Sequence, residues 1–344
     1  MQLSVTTVGI CQLVMLLTGN CLAADFSYEV VKEGMELPTW ASHTVHLTGD
    51  IKNGDAQQLE SILAKVAADG GGTRVAMYLN SGGGDANEAI RLSEIVSEQS
   101  IATVVDNGSI CLSACAFVFM AGRQDDEEYD GAVDRYLHVS GKLGFHAPSL
   151  PVTGKEGDPV GVDVTWGNLA QVYSSALKQV SSLLLGYGST GTKWPPSLVG
   201  ELLRISGPGQ YRYIETVDDA GRWHIHLYGF DEQLEVITPE QRFFACLNTY
   251  RWTDEEKWLA YELAKVTDPQ YIRVRVDHQR PVPSEYEDSD ASYVTIDDYG
   301  FVGCRMAREE LGGWAVSLNE GRKLHFIEPA HLHSPVTRLD VLTK

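Results

Sequence analysis

Between residues 44 and 146 the apolar positions alternate between two periods. Residues 44–47 have the β-branched and apolar content of a strand, closed by Gly49-Asp50. Asp55 is placed to cap a helix running to Ala67, with Leu59, Ile62, Leu63 and Val66 at helical spacing, and Gly70-Gly71-Gly72 stops it. A second strand is predicted over 74–79 and a second helix over 86–98, where Ala89, Leu92 and Val96 share one stripe. A third strand follows at 101–105, then an almost wholly apolar helix at 113–121 and a short strand at 143–145. Strands alternating with helices of this length predict βαβ units, a mostly parallel sheet and helices on its faces. In such sheets function gathers at the carboxyl ends of the strands.

Beyond residue 146 the pattern loosens. Residues 151–164 read as a Gly, Pro and Asp-rich loop, 168–185 as the longest amphipathic helix, and 196–205 as a helix with Pro in its first turn. Residues 211–216 and 222–228 are predicted to form a β-hairpin. From about Gly229 a helix at 254–265 is followed by strands at 272–276, 293–296, 314–318 and 324–327, with an acidic loop at 284–290. The expected organisation is a leader over 1–23, an α/β domain over 24–228 whose first residues to 42 form a lead-in, and a small α+β domain over 229–344. No internal repeat is visible.

Composition narrows the partners. The chain has 344 residues, 43% of them hydrophobic and 22% charged, as expected of a globular protein. Its formal net charge of −20 argues against nucleic acid and anionic membranes, which need clustered Lys and Arg. No charged side chain occurs from Met1 to Ala24, and Val8–Leu17 forms an apolar run shorter than the roughly 20 residues of a spanning helix. With small residues around Ala23, this predicts a cleaved export signal and a periplasmic or secreted protein. Cleavage leaves Cys111, Cys115, Cys246 and Cys304, an even number that favours disulfides in an oxidising compartment. Of three possible pairings, Cys111 with Cys115 and Cys246 with Cys304 is the simplest. His224 with His226, and His331 with His333, read as surface pairs, because no Cys or acidic partner is spaced to complete a metal site.

Three segments carry chemistry. Asn80-Ser81-Gly82-Gly83-Gly84 leaves backbone N–H groups exposed after a strand, without the Lys-Ser/Thr of a P-loop or the spacing of a dinucleotide fingerprint. Cys111-Leu112-Ser113-Ala114-Cys115 places one serine at the mouth of an apolar helix, and Gly144-Phe145-His146 ends a strand on an imidazole. Oxyanion donors, a hydroxyl and a base are the parts of a serine hydrolase.

The order of these segments, with Leu47-Thr48-Gly49-Asp50-Ile51 before them and Ala147-Pro148 after, resembles the ClpP/crotonase superfamily. It is most similar to an exported Clp-protease-like subgroup with a Cys-x-Ser-Ala-Cys motif. The resemblance covers about residues 44–203. It implies a spiral of ββα units, Ser113 as nucleophile, His146 as general base, Gly83 and Gly84 as the oxyanion loop, and the Ala114 N–H as second donor. It further implies peptidase activity on peptides or unfolded segments with no cofactor, and ring-like homo-oligomers through 168–185. Export implies no ATPase partner. It also counts against the CoA chemistry of the crotonase branch. The chain departs from the family in three places. Gly82 replaces a proline, and an acidic insert at 125–134 reads as an exposed loop. The family's third acid is expected near 202–206, where no Asp stands; Glu201 is close but one helical face away, and Asp218 or Asp219 would need the hairpin to fold back. A degenerate hydrolase that acts as a binding or assembly module is therefore the alternative.

Overall fold

The computed structural model describes residues 24–32, 41–69, 74–124, 132–146, 194–205, 210–231, 235–253, 263–281, 292–296, 303–308, 313–318 and 324–343. The leader, the glycine stop at 70–72, the loops at 151–164 and 284–290, the helix at 168–185 and most of 254–265 lie outside them.

The first stretch lays down β1 (Asp25–Val30), β2 (His43–Thr48), α1 (Asp55–Ala68), β3 (Val75–Asn80), α2 (Ala86–Glu98), β4 (Ala102–Val105), β5 (Ile110–Leu112) and α3 (Ala114–Met120). β6 (Arg123–Gln124), β7 (Ala132–Val133), β8 (Arg135–His138) and β9 (Lys142–Phe145) follow. After residue 194 come α4 (Pro196–Arg204), β10 (Arg212–Tyr213), α5 (Val217–Arg222) and β11 (His226–Tyr228). The last stretch holds α6 (Pro239–Thr253), α7 (Leu263–Val266), α8 (Pro269–Asp277), β12 (Arg280–Pro281), β13 (Ser292–Thr295), β14 (Gly303–Arg308), β15 (Trp314–Leu318) and β16 (Leu324–Phe326).

The protein is mixed α/β. Its main sheet has the order β1-β2-β3-β4-β8-β11, with β1 antiparallel to β2 and the remaining pairs parallel. A smaller sheet, β10-β9-β5, carries the ends of the two segments that hold Ser113 and His146. A separate antiparallel sheet runs β12-β13-β14-β15-β16. The large core lies on the helix-covered face of the main sheet, where Val45, Leu47, Met77, Leu79 and Val105 meet Leu59, Leu92, Val96 and Phe119. A second core joins Phe243, Cys246, Leu247, Val294, Met306 and Val316.

Several expectations are corrected. The lead-in contains β1, which pairs with β2 over its whole length. Asp55 is the first helical residue rather than the cap. Gly54 occupies the cap with φ 105°, and the Asp55 carboxylate accepts the Lys52 N–H at 2.8 Å. The hairpin over 211–228 does not form. Thr216 and Asp219 make a reciprocal capping box that starts α5, so β10 pairs with β9 while β11 joins β8 in the other sheet. Residues 272–276 belong to α8, where Asp268 accepts the N–H groups of Gln270 and Tyr271 and Pro269 opens the first turn.

Candidate active site

Leu112 lies opposite Gly144 where β5 runs parallel to β9, so the residues leaving both strands emerge side by side. Ser113 follows β5 and His146 follows β9. Their side chains meet, with Ser113 Oγ 2.5 Å from His146 Nε2. Ser113 is also the point where strand becomes helix. It takes φ 58° and ψ −123°, a backbone state that costs a residue with a side chain about 1–3 kcal/mol and persists only where its surroundings enforce it. Its N–H donates to the Gly144 carbonyl at 3.0 Å, which ties the elbow to β9.

The glycine loop packs against this elbow. Ser81 forms a parallel bridge with Cys111, donating its N–H to Ile110 and accepting from the Leu112 N–H. Gly83 has φ 109°, and a Cβ there would stand 2.7 Å from Ser113 Cβ and 2.8 Å from the Leu112 carbonyl oxygen. Only glycine fits. The Gly83 N–H donates to Ser81 Oγ at 3.1 Å. Gly84 bridges Ile51 through its neighbours, the Gly83 carbonyl and the Asp85 N–H, which leaves the Gly84 N–H outside the ladder. The Ala114 N–H stands at the first position of α3, where a helix supplies no acceptor of its own. Cys111 and Cys115 form a disulfide across Ser113, and Cys246 and Cys304 form the second. Both fit an oxidising compartment.

Alternation along β10 separates two environments. Tyr211 packs its ring on His146 at 5.0 Å, and Tyr213 stacks beside Tyr211 at 5.5 Å. Burial raises the pKa of the Tyr211 phenol, and Tyr213 adds to the shift. Arg212 faces the opposite side with Phe145, above the Trp223 ring. There it pairs with Glu201 and Asp219. Asp218 makes two hydrogen bonds to Arg251, both 2.8 Å, and lies 3.8 Å from Arg222. Glu201, Asp218 and Asp219 are thus all bonded to arginines. Of the acidic insert, Asp134 is described and buried rather than exposed.

Sequence reasoning missed Tyr211, whose signal is the Tyr-Arg-Tyr alternation of a strand, and it missed the Glu201–Arg212–Asp219 cluster. It also missed the acidic partner of one histidine pair. His224, His226 and His331 line one cavity of about 580 Å³ together with Glu328, His325, Trp252 and Phe326. His226 Nδ1 lies 2.7 Å from Glu328 Oε1, an acidic partner that linear spacing does not reveal. His333 packs instead on Phe230. Among the described residues no group of three or more His, Cys, Asp or Glu is arranged to hold a metal ion. Among them, too, no helix is long and apolar enough to cross a membrane.

Comparison with known proteins gives no assignment. No protein-family model and no curated protein matches the chain. Among solved structures, a ClpP1 mutant from Listeria monocytogenes aligns with 40% of this chain at 14% identity and a TM-score of 0.28. The alignment spans 64% of that chain's own length. An overlap of this extent does not place the chain in a family.

Proposed function

We propose that this chain is an exported, ATP-independent serine hydrolase of Clp-protease type that cleaves peptides or unfolded segments. The observation that carries the reading is the 2.5 Å approach of Ser113 Oγ to His146 Nε2 at a strained strand-to-helix elbow. His146 takes the hydroxyl proton as Ser113 Oγ attacks the scissile carbonyl carbon. The oxyanion that forms is received by the N–H groups of Gly84 and Ala114, while Gly83 fits the loop against the nucleophile. Removing one such donor in a known hydrolase lowers kcat roughly 100- to 1,000-fold. His146 then gives its proton to the leaving amine, and water, deprotonated by the same imidazole, releases the acyl group.

In this reading residues 24–228 form the hydrolase unit and residues 229–344 an appended unit. Homo-oligomers would assemble through 168–185. The binding-module alternative draws support from the commitment of Glu201, Asp218 and Asp219 to arginines. A fluorophosphonate probe separates the two. Wild type is expected to label and Ser113→Ala to remain blank. Equal labelling of both proteins removes the nucleophile assignment, and no labelling of wild type favours the binding module.

A further inference from the structure

We infer that the Cys111–Cys115 disulfide is a positioning brace for the nucleophile, so that Ser113 is competent only while this bond is intact. The inference rests on the hydrolase reading above and adds a requirement to it. The bond joins the second residue before Ser113 to the second residue after it. The chain turns from β5 into α3 at that one residue, in a backbone state that serine avoids. Such a state needs constraint on both sides. On the strand side, Cys111 is fixed by its bridge to Ser81 and its place opposite Leu143 on β9. On the helix side α3 is only seven residues long, and the Ser113 side chain, turned to His146, gives its first N–H groups no capping hydrogen bond. The disulfide ties that short helix directly to the fixed strand.

Ser81, the strand's bridge partner, also holds Gly83 through its hydroxyl. Nucleophile and glycine loop are therefore referenced to the same backbone. Both cysteines are fully buried, which marks the bond as a permanent fixture rather than an exposed redox switch. A loop this short removes little freedom from the unfolded chain, so the bond's main effect is local geometry. The Cys246–Cys304 bond spans 58 residues, ties α6 to β14 within the second core rather than the first, and serves as the comparison.

The test measures fluorophosphonate labelling kinetics on the full chain for wild type, Cys111→Ala/Cys115→Ala and Cys246→Ala/Cys304→Ala, each with its Tm. Loss of the brace is expected to lower the maximal labelling rate about 100-fold, the cost of a misplacement near 1 Å, with little change in probe affinity. Its fall in Tm should be smaller than that of the Cys246/Cys304 variant, which should label within a few-fold of wild type below its own Tm. Wild type reduced by a phosphine in mild urea supplies the same comparison without substitution. Labelling should fall in step with the appearance of free Cys111 and Cys115 thiols. Full labelling after either treatment overturns the brace and leaves the hydrolase reading standing. Absence of labelling in wild type removes the hydrolase reading, and the brace with it.

Discussion

Ser113 and Gly83 define each other. The serine takes a left-handed φ at the head of α3, and the glycine leaves no room between the loop and Ser113 Cβ. A methyl at Gly83 has two closed exits, since its nearest neighbours are Ser113 Cβ at 2.7 Å and backbone oxygen at 2.8 Å. Gly83→Ala is therefore expected to lose about 1–3 kcal/mol of stability and to lower fluorophosphonate labelling at least tenfold. Urea unfolding and labelling on the same sample check both. Wild-type behaviour in both assays would refute the packing argument. At this scale the sequence was legible where chain order carried the information. Ser113, His146 and the loop follow one another at strand ends, and they meet. Tyr211 was not legible, because its contact with His146 exists only once β10 folds antiparallel onto β9.

Elements were readable where one face is buried and the other wet. α2 spans the residues its stripe predicts, capped by Asp85, whose carboxylate accepts the Glu88 N–H at 2.9 Å. α6 was missed for the opposite reason. Every residue from Phe243 to Trp252 is buried, so no amphipathic stripe marks it. The false hairpin over 211–228 shows how a local cap overrides strand propensity. Arg222–Tyr228 has strand-like composition, yet Thr216 Oγ1 accepts the Asp219 N–H at 3.2 Å while Asp219 accepts the Thr216 N–H at 3.1 Å. That box turns the chain into α5 and sends β11 to the far edge of the main sheet. Thr216→Ala is expected to cost about 1 kcal/mol at an unchanged denaturant slope. An undiminished urea midpoint would show that Asp219 and its arginine set the turn without the threonine.

Across the molecule, the two cores are linked by α6 and by the chain's return after β16. Trp252 belongs to the first core and Phe243 to the second. Arg251 reaches the Asp218 carboxylate, and the N–H groups of Val217 and Asp218 donate to the carbonyls of Thr337 and Pro335. The histidine cavity lies at this junction. The turn after α5 brings His224 to it, β11 brings His226, and the return segment brings Glu328 and His331. Burial holds the His224 and His331 imidazoles down at about 4, and Arg135 adds to the effect on His224. Burial also opposes charge on His226, but the Glu328 hydrogen bond and charge outweigh it and raise that pKa, with help from Asp134. The Glu328 carboxyl is held low by the same pair despite its own desolvation. The signs then separate. As pH falls from 6.5 towards 4, an unfolded chain takes up protons on His224 and His331 that the cavity refuses. Their contribution is whole above pH 6.5 and lost towards pH 4. The His226–Glu328 pair behaves in reverse on its imidazole side, present below 6.5 and lost as pH rises through the raised value. Burial also lowers His138 and His333, so four lowered histidines against one raised one among the described residues predict a net fall in Tm between pH 7 and pH 5, above the range in which carboxylates titrate. His224 is open to the cavity's water, so its share is strongly screened and His331 dominates. Replacing the titrating ring by His331→Gln keeps an acceptor for the Glu328 N–H, which His331 Nδ1 now accepts at 3.1 Å. The variant is expected to lose about 1–2 °C less than wild type over that range, corresponding to about 1 kcal/mol for a chain of this length. Parallel Tm curves for the two proteins would mean that His331 does not couple the junction to pH.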